Sequence, residues 1–198
     1  MCAQENRSKT RSMAYVALCI AIMAVSAWVT VPIGPVPVTL QMFAFTFAIV
    51  ILRPSECLAA TAGYLLLGAV GLPLFSGMQG GLAKLMGPTG GFLWGYIFGV
   101  AAATALLAAV RKSGLAPQQK GEGSGVGAFL RNFGWEILAG VVFTAIAYVC
   151  GTFQFTVVMN ASVAEALAAC VLPFVLIDFG KIVAAVLAAD AVRAVIRR

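Results

Sequence analysis

The sequence predicts an all-α, polytopic membrane protein built as a six-transmembrane-helix bundle. Hydrophobic residues make up 62% of the 198 residues and charged residues only 10%, whereas a soluble domain carries about 25% charged residues. The mean hydropathy is +1.00. Because a helix needs about 20 apolar residues to cross a bilayer, a chain of this length accommodates six such helices joined by short loops. We therefore expect a single membrane domain over residues 1–198.

Six apolar segments follow one another along the chain, and each is interpreted as one membrane span. A polar N-terminal tail at 1–12 precedes spans at 13–31, 38–52, 57–72, 90–110, 134–159 and 168–196. A signal peptide is the alternative interpretation of the first segment. That segment is long for a signal peptide and further spans follow it, which favours an uncleaved helix.

Prolines, glycines and charges set the ends of these segments. The turn VPIGPVP at 31–37 precedes the second span, and Arg53-Pro54 ends it. The third span ends where the stretch GLPLFSGMQGGLAKLMGPTGG begins, at 71–91, and the fourth begins within its last glycines. A polar segment at 111–133 is predicted to be a linker between the fourth and fifth spans. Pro173 lies near the start of the sixth span.

The basic residues collect on one side of the predicted bundle. Eleven of the 13 Lys and Arg residues fall on the side that holds both termini: Arg7, Lys9, Arg11, Arg53, Arg111, Lys112, Lys120, Arg131, Arg193, Arg197 and Arg198. The positive-inside rule makes this side cytoplasmic, so the sequence predicts a multi-pass cell-membrane protein with a cytoplasmic tail, linker and C-terminus. The net charge of +6 then indicates contacts with membrane lipid rather than with nucleic acid.

The residue inventory argues against an enzyme. Histidine, the commonest general base, is absent from the sequence, and the five cysteines form no C-x-x-C pair. The glycines of GEGSGVG at 121–127 lack the Gly-Lys-Ser/Thr ending of a phosphate-binding loop. We expect no metal, no cofactor and no nucleotide site. A non-transporting membrane scaffold stays open as an alternative.

Two ionisable residues lie inside the sixth span. Asp178 and Lys181 are three residues apart, so they share one helix face. A charge at the centre of a membrane helix costs about 2.5 to 3.5 kcal/mol on insertion scales, and a pair reduces that cost. The two residues form either a structural ion pair or part of a ligand site, and the second is favoured because intramembrane charges usually face a cavity.

The glycine-rich loop at 71–91 is too polar and irregular to contact lipid. It is either an exposed loop or a cap folded back over a pocket. Glycines allow backbone to approach a ligand closely, Gln79 and Lys84 supply polar groups, and Phe75 and Phe92 supply apolar cover. Gln41, just inside the second span, either hydrogen-bonds within the bundle or lines the same pocket.

Small residues form two helical stripes. Gly91, Gly95, Gly99 and Ala103 recur every four residues in the fourth span, which favours close packing inside the bundle. Ala14, Ala17, Ala21 and Ala24 form a second stripe in the first span. This second stripe is equally suited to face another subunit.

With these motifs in view, the chain resembles the BioY family, the biotin-specific S components of energy-coupling-factor transporters. PVPVTLQ at 35–41, the glycine-rich loop with its continuation GFLWG, and PFVLIDFGK at 173–181 carry the resemblance. It implies a six-helix membrane bundle that binds biotin near the outer face under two capping loops. An S component for a different vitamin is the alternative within this class.

The resemblance also implies roles for individual residues. Asp178 and Lys181 are expected to bind the polar groups of biotin. Gln79 stands where relatives often have Asn, and Phe92 where they commonly have Tyr. Ala17 and Ala21 are expected to pack against a transmembrane coupling subunit, and two ATPase subunits would drive uptake.

Overall fold

The computed structural model describes the backbone of residues 2–32, 36–115 and 126–196, and the side chains of 9–32, 36–115 and 129–195. Helices make up most of this part of the chain. The elements in order are α1 (Cys2–Trp28), β1 (Thr30–Val31), β2 (Val38–Thr39), α2 (Gln41–Ile51), α3 (Pro54–Ala69), α4 (Leu82–Met86), α5 (Gly90–Lys112), α6 (Val126–Met159), α7 (Val163–Cys170) and α8 (Val175–Ile196).

All six predicted spans coincide with helical segments, but the segments differ in length. Within the described residues, three helices are long and apolar enough to cross a membrane by themselves, namely α1, α5 and α6, and the α7–α8 pair makes a fourth if its two helices form one span. The helix α2 has 11 residues and α3 has 16, which correspond to about 16 and 24 Å. Both are shorter than the roughly 30 Å of a bilayer core.

The sixth span is a broken helix, so the prediction of one helix over 168–196 is wrong in this detail. Helix α7 ends at Cys170, and α8 begins at Val175 after a bend of 45°. Pro173 lies in the break, where its ring and its missing N–H disfavour a continuous helix. In the first turn of α8, Asp178 is buried in the bundle, whereas Val175, Leu176 and Ile177 are exposed.

Two other helices extend beyond their predicted ends. Helix α1 already begins at Cys2, within the predicted tail, and α6 begins at Val126, within the predicted linker at 111–133. The remainder of that linker includes 116–125, which lie outside the described residues. The tail and linker boundaries therefore remain predictions in those parts.

A tight α5–α6 contact forms the centre of the bundle. A Cβ atom added at Gly95 would lie 2.8 Å from the Ala147 Cα, and one at Gly99 would lie 2.8 Å from the Phe143 carbonyl oxygen. Ala103, in the next turn of the same stripe, is fully buried. These contacts confirm the prediction that the glycine stripe packs inside the bundle.

Replacing Gly95 with alanine is expected to lower the free energy of unfolding by about 1 to 3 kcal/mol, the usual cost of overpacking. The added methyl group meets backbone atoms of α6, which cannot move aside as a flexible side chain can. Thermal unfolding in detergent measures the effect. Gly134→Ala is the matched control, because nothing lies within 4 Å of its added Cβ; equal melting temperatures for the two variants would contradict the packing argument.

Candidate functional site

A cavity lies between the N-terminal ends of α2, α5 and α8, the middle of α6 and the glycine-rich loop. The residues that line it are Val36, Pro37, Thr39, Gln41, Met42, Ser76, Lys84, Thr89, Phe92, Leu93, Tyr96, Tyr148, Cys170, Phe174 and Asp178. Its wall is mostly apolar with a few polar groups, which is the usual composition of a small-molecule site. The cavity measures about 60 Å³.

Asp178 is the buried charge of this cavity. Only 4% of the residue is exposed. Its Oδ2 accepts a hydrogen bond of 2.6 Å from the Tyr148 hydroxyl, and its Oδ1 accepts one of 2.7 Å from the Lys181 ammonium. The carboxylate also lies in the first turn of α8, where the helix dipole favours a negative charge. An ionised carboxylate has about four lone-pair sites, so it retains acceptor capacity for a ligand.

Lys181 lies behind Asp178 and is not among the residues that line the cavity. Its ammonium donates to Asp178 and, at 2.7 Å, to the backbone carbonyl of Thr39. The lysine therefore fixes the carboxylate and joins α8 to the β2 strand. The Asp–Lys pair predicted from the sequence does form, at 2.7 Å, and only the aspartate reaches the cavity wall.

Lys84 brings a second cation, besides Lys181, to the site from the glycine-rich loop. It lies in the short helix α4 of the glycine-rich loop and is partly buried. Partial burial lowers the pKa of its ammonium below the usual value, because desolvation disfavours the charged form. An anionic ligand group would stabilise the charged ammonium in place of the water that it has lost.

Gln41 both lines the cavity and hydrogen-bonds within the bundle, so both interpretations of this amide are correct. Its Nε2 donates to the Tyr64 hydroxyl at 2.7 Å, and its Oε1 accepts from the Thr39 hydroxyl at 3.1 Å. Tyr64 in turn donates to the carbonyl of Leu74 at 2.7 Å. This chain of bonds links α2 through α3 to the first half of the glycine-rich loop.

The glycine-rich loop is folded back onto the bundle and attached at further points. The Trp28 indole donates to the Pro73 carbonyl at 2.7 Å. The Gln154 amide of α6 donates to the carbonyls of Leu85, at 2.9 Å, and Gly87, at 2.7 Å. Gly81 has a φ of +90°, which favours glycine, and its N–H donates to the Gly68 carbonyl. These contacts support the capping interpretation of the loop.

The remaining predicted site residues occupy different environments. Phe92 lines the cavity and meets the Tyr148 ring edge to face, with centroids 6.4 Å apart. Phe75 is fully buried in the core, against Tyr64 and Gly68, and does not line the cavity. Gln79 is exposed on the loop, where its backbone carbonyl accepts a bond from the Phe75 N–H.

Sequence reasoning missed several residues that shape the cavity. Tyr148 and Tyr96 lie in long apolar helices, where a tyrosine is as easily a packing residue, and their spacing gives no signal. Gln154 is a polar residue inside the membrane helix α6, and that position could have identified it as a residue with a hydrogen-bonding role. Thr39 contributes through its backbone carbonyl, which no residue type predicts.

The alanine stripe of α1 faces outward over most of its length. Ala14, Ala17 and Ala21 are exposed, whereas Ala24 is buried in the core. Exposed small side chains allow the backbone of another helix to approach closely. The stripe is thus available to a partner within the membrane.

The fold and site together define a multi-pass membrane protein with a capped small-molecule cavity. Comparison with known proteins gives the family. A profile of the BioY family matches residues 3–198, and the chain belongs to that family. The chain is 36% identical over 169 residues to a Thermotoga maritima protein named "Biotin transporter BioY", covering 85% of this chain and 88% of that one.

Two further comparisons give a second sequence match and a matching fold. The Lactococcus lactis protein named "Biotin transporter BioY2" is 44% identical over 92 residues, which are 46% of this chain and 50% of that protein. A crystal structure described as the S-component for biotin from an ECF-type ABC transporter superposes with a TM-score of 0.81. At 22% identity it covers 96% of this chain and 94% of its own, which confirms the predicted fold class.

Proposed function

We propose that the protein is a biotin-binding S component that mediates biotin uptake across the cell membrane. Membership of the BioY family, with relatives named biotin transporters, supports this function. The observation that carries the proposal for the site is Asp178. It is a buried carboxylate at the cavity wall, held by two hydrogen bonds and facing a loop with a second cation.

The ureido ring of biotin is placed at Asp178. That ring has two N–H donors and one carbonyl, and a carboxylate is the complementary acceptor for the N–H groups. Tyr148 and Lys181 act as positioning residues, because their bonds orient the carboxylate and balance its charge. A buried polar group without a partner costs about 1 to 3 kcal/mol, so an analogue lacking the N–H groups is expected to bind weakly.

The rest of the ligand is assigned by complementarity. The apolar sulfur ring lies against Phe92 and Tyr96, and Gln41 closes the cavity on the α2 side. The valerate carboxylate lies toward the glycine-rich loop, where Lys84 supplies a positive charge. Phe75 supports the loop from the core, and Gln79 joins the site when the loop rearranges around the ligand.

Binding requires the cavity to widen. Its volume of about 60 Å³ is well below the roughly 300 to 1,000 Å³ of a typical small-molecule pocket. We assign this movement to the glycine-rich loop, because its seven glycines give the backbone conformational freedom. Its opening would break the hydrogen bonds from Trp28, Tyr64 and Gln154. Its opening admits the ligand, and its closure completes the contacts.

Uptake depends on partner subunits. We place a transmembrane coupling subunit against Ala17 and Ala21 on the exposed face of α1, with two ATPase subunits supplying energy. Both termini are placed in the cytoplasm, on the side that holds most of the basic residues. The cavity then lies at the outer end, because it is formed by the ends of α2 and α8 that are far from Arg53 and Arg193.

Calorimetric titration of the purified protein with biotin tests the function. The expected result is one site per chain and loss of binding for an analogue methylated at both ureido nitrogens. A methyl ester of biotin tests the Lys84 contact separately, and it is expected to bind more weakly while retaining the ureido contact. Tighter binding of another vitamin than of biotin would instead favour an S component of different specificity, and absence of binding would favour a scaffold.

The affinity for biotin is expected to fall as the pH rises through the alkaline range. Burial lowers the pKa of Lys84 below 10.5, and the ammonium that attracts the carboxylate is lost above that lowered pKa. A bound carboxylate raises the pKa again, so binding takes up protons within this window. Titrations across the range measure the slope; in Lys84→Met the slope should disappear, and an unchanged slope would exclude this lysine as its origin.

A further inference from the structure

A second, larger cavity lies at the opposite end of the bundle from the candidate site. This groove runs between α1, α2, the start of α3 and the end of α8, and has a volume of about 1,000 Å³. Most of its wall surface is apolar, and the apolar side chains include Leu18, Ile22, Phe47 and Ile51. The function proposed above does not use this groove.

Three arginines surround the groove. Arg11 and Arg53 are exposed, and Arg193 is half-buried against Glu136, which accepts its ion pair at 2.5 Å. Glu56 is the one acidic residue of the groove wall, and it is already engaged. Its two oxygens accept from the Ser12 hydroxyl at 2.7 Å and from the Arg53 backbone N–H at 3.1 Å.

Because Glu136 neutralises Arg193, the two exposed arginines, Arg11 and Arg53, exceed the wall carboxylate Glu56 by one positive charge. The Arg11 guanidinium makes two contacts with Tyr15. Its Nε donates a hydrogen bond of 2.7 Å to the Tyr15 hydroxyl, and its Cζ lies 5.4 Å from the centroid of the Tyr15 ring. Arg53 contacts Glu56 through its backbone N–H and not through its side chain. Its guanidinium can therefore bind another acceptor. An apolar slot with guanidinium groups at its mouth complements an acyl chain joined to a phosphate.

We propose that this groove binds one anionic phospholipid, with an acyl chain between α1 and α2 and the phosphate at Arg11 and Arg53. Given the orientation proposed above, the lipid belongs to the cytoplasmic leaflet, where anionic lipids and basic pockets between helices occur together. The groove is distinct from the alanine stripe. Leu18 and Ile22 each follow an alanine of that stripe by one residue, so they lie about 100° around α1 from it.

Native mass spectrometry of the delipidated protein, titrated with dioleoyl phosphatidylglycerol or dioleoyl phosphatidylcholine, tests the proposal. The wild type is expected to retain one phosphatidylglycerol about tenfold or more tightly than phosphatidylcholine. The double variant Arg11→Gln/Arg53→Gln is expected to lose that preference. Leu18→Trp is expected to weaken retention of both lipids by filling the slot without changing the charge.

Arg111→Gln/Lys112→Gln is the matched control, since it removes two exposed charges from the end of α5, away from the groove. The control should keep the phosphatidylglycerol preference within twofold. Equal binding of the two lipids by the wild type would overturn the proposal. The proposal would also be overturned if the control lost as much of its phosphatidylglycerol preference as the Arg11→Gln/Arg53→Gln variant. That result would indicate a general attraction of anionic lipid to the basic surface. Biotin titration of each variant checks folding, and all should bind biotin as the wild type does.

Discussion

Asp178→Asn is expected to weaken biotin binding by about one to two orders of magnitude, because a hydrogen bond to a charged group contributes about 1.5 to 3 kcal/mol. The amide keeps the shape of the side chain but replaces one acceptor oxygen with a donor. It also leaves the Lys181 ammonium without its buried anion. Calorimetric titration with biotin measures the loss.

Asp190→Asn is the matched control, because it makes the same chemical change three turns further along α8, away from the cavity. Its biotin affinity should stay within about twofold of the wild type. Thermal unfolding separates binding from folding. If Asp178→Asn lowered the melting temperature yet bound biotin normally, the aspartate would be a structural ion-pair partner and not a ligand contact.

Tryptophan at both Ala17 and Ala21 is expected to abolish biotin uptake while leaving biotin binding intact. Both alanines are exposed on α1, where a large ring prevents close approach of another helix. The cavity lies under the glycine-rich loop and includes no residue of α1, so the ligand contacts are preserved. Uptake of labelled biotin by cells that express the protein with its coupling subunits gives the first readout.

Binding by the purified variant gives the second readout for this experiment. Ala105→Trp on α5 serves as the control, because that alanine is also exposed on a long membrane helix. It is expected to retain uptake. Normal uptake in the Ala17→Trp/Ala21→Trp variant would place the coupling interface elsewhere, whereas loss of binding would point to a folding defect.

The sequence was informative where a residue type conflicts with its surroundings. A carboxylate and an ammonium in an apolar helix, and seven glycines between two spans, both require an explanation. The carboxylate lines the cavity, and so do other residues of the glycine-rich loop, namely Ser76, Lys84 and Thr89. The sequence does not indicate which of the two charged residues, Asp178 or Lys181, lines the cavity. Lys181 is held away from the cavity wall by its bond to the Thr39 carbonyl, which a short two-stranded hairpin brings there.

Other parts of the site depend on contacts between distant segments. Gln154 holds the second half of the glycine-rich loop through the Gly87 carbonyl, and the two residues are 67 positions apart in the sequence. A single sequence gives no information about which residues pair at that separation. Phe75 was placed with the cavity because it is an aromatic residue of the loop. Because Gly68 has no side chain, the Phe75 ring packs into the core at that position instead.

The break between α7 and α8 illustrates the same limit in the fold. Apolar residues continue across Val171–Phe174, so hydropathy alone predicts one span. Pro173 marks the position at which a helix is weakened, but a proline near a helix start is equally compatible with a continuous helix. Packing adds to the effect of the proline, since Cys170 and Phe174 are buried at the cavity wall on either side of it.

The most direct test of the proposed site is an experimental structure of the protein with biotin bound. The ureido nitrogens should lie within hydrogen-bond distance of the Asp178 carboxylate, and the valerate should extend toward Lys84 beneath residues 71–91. Biotin bound anywhere else, including the groove near Arg53, or bound with its ureido ring turned away from Asp178, would contradict the proposal.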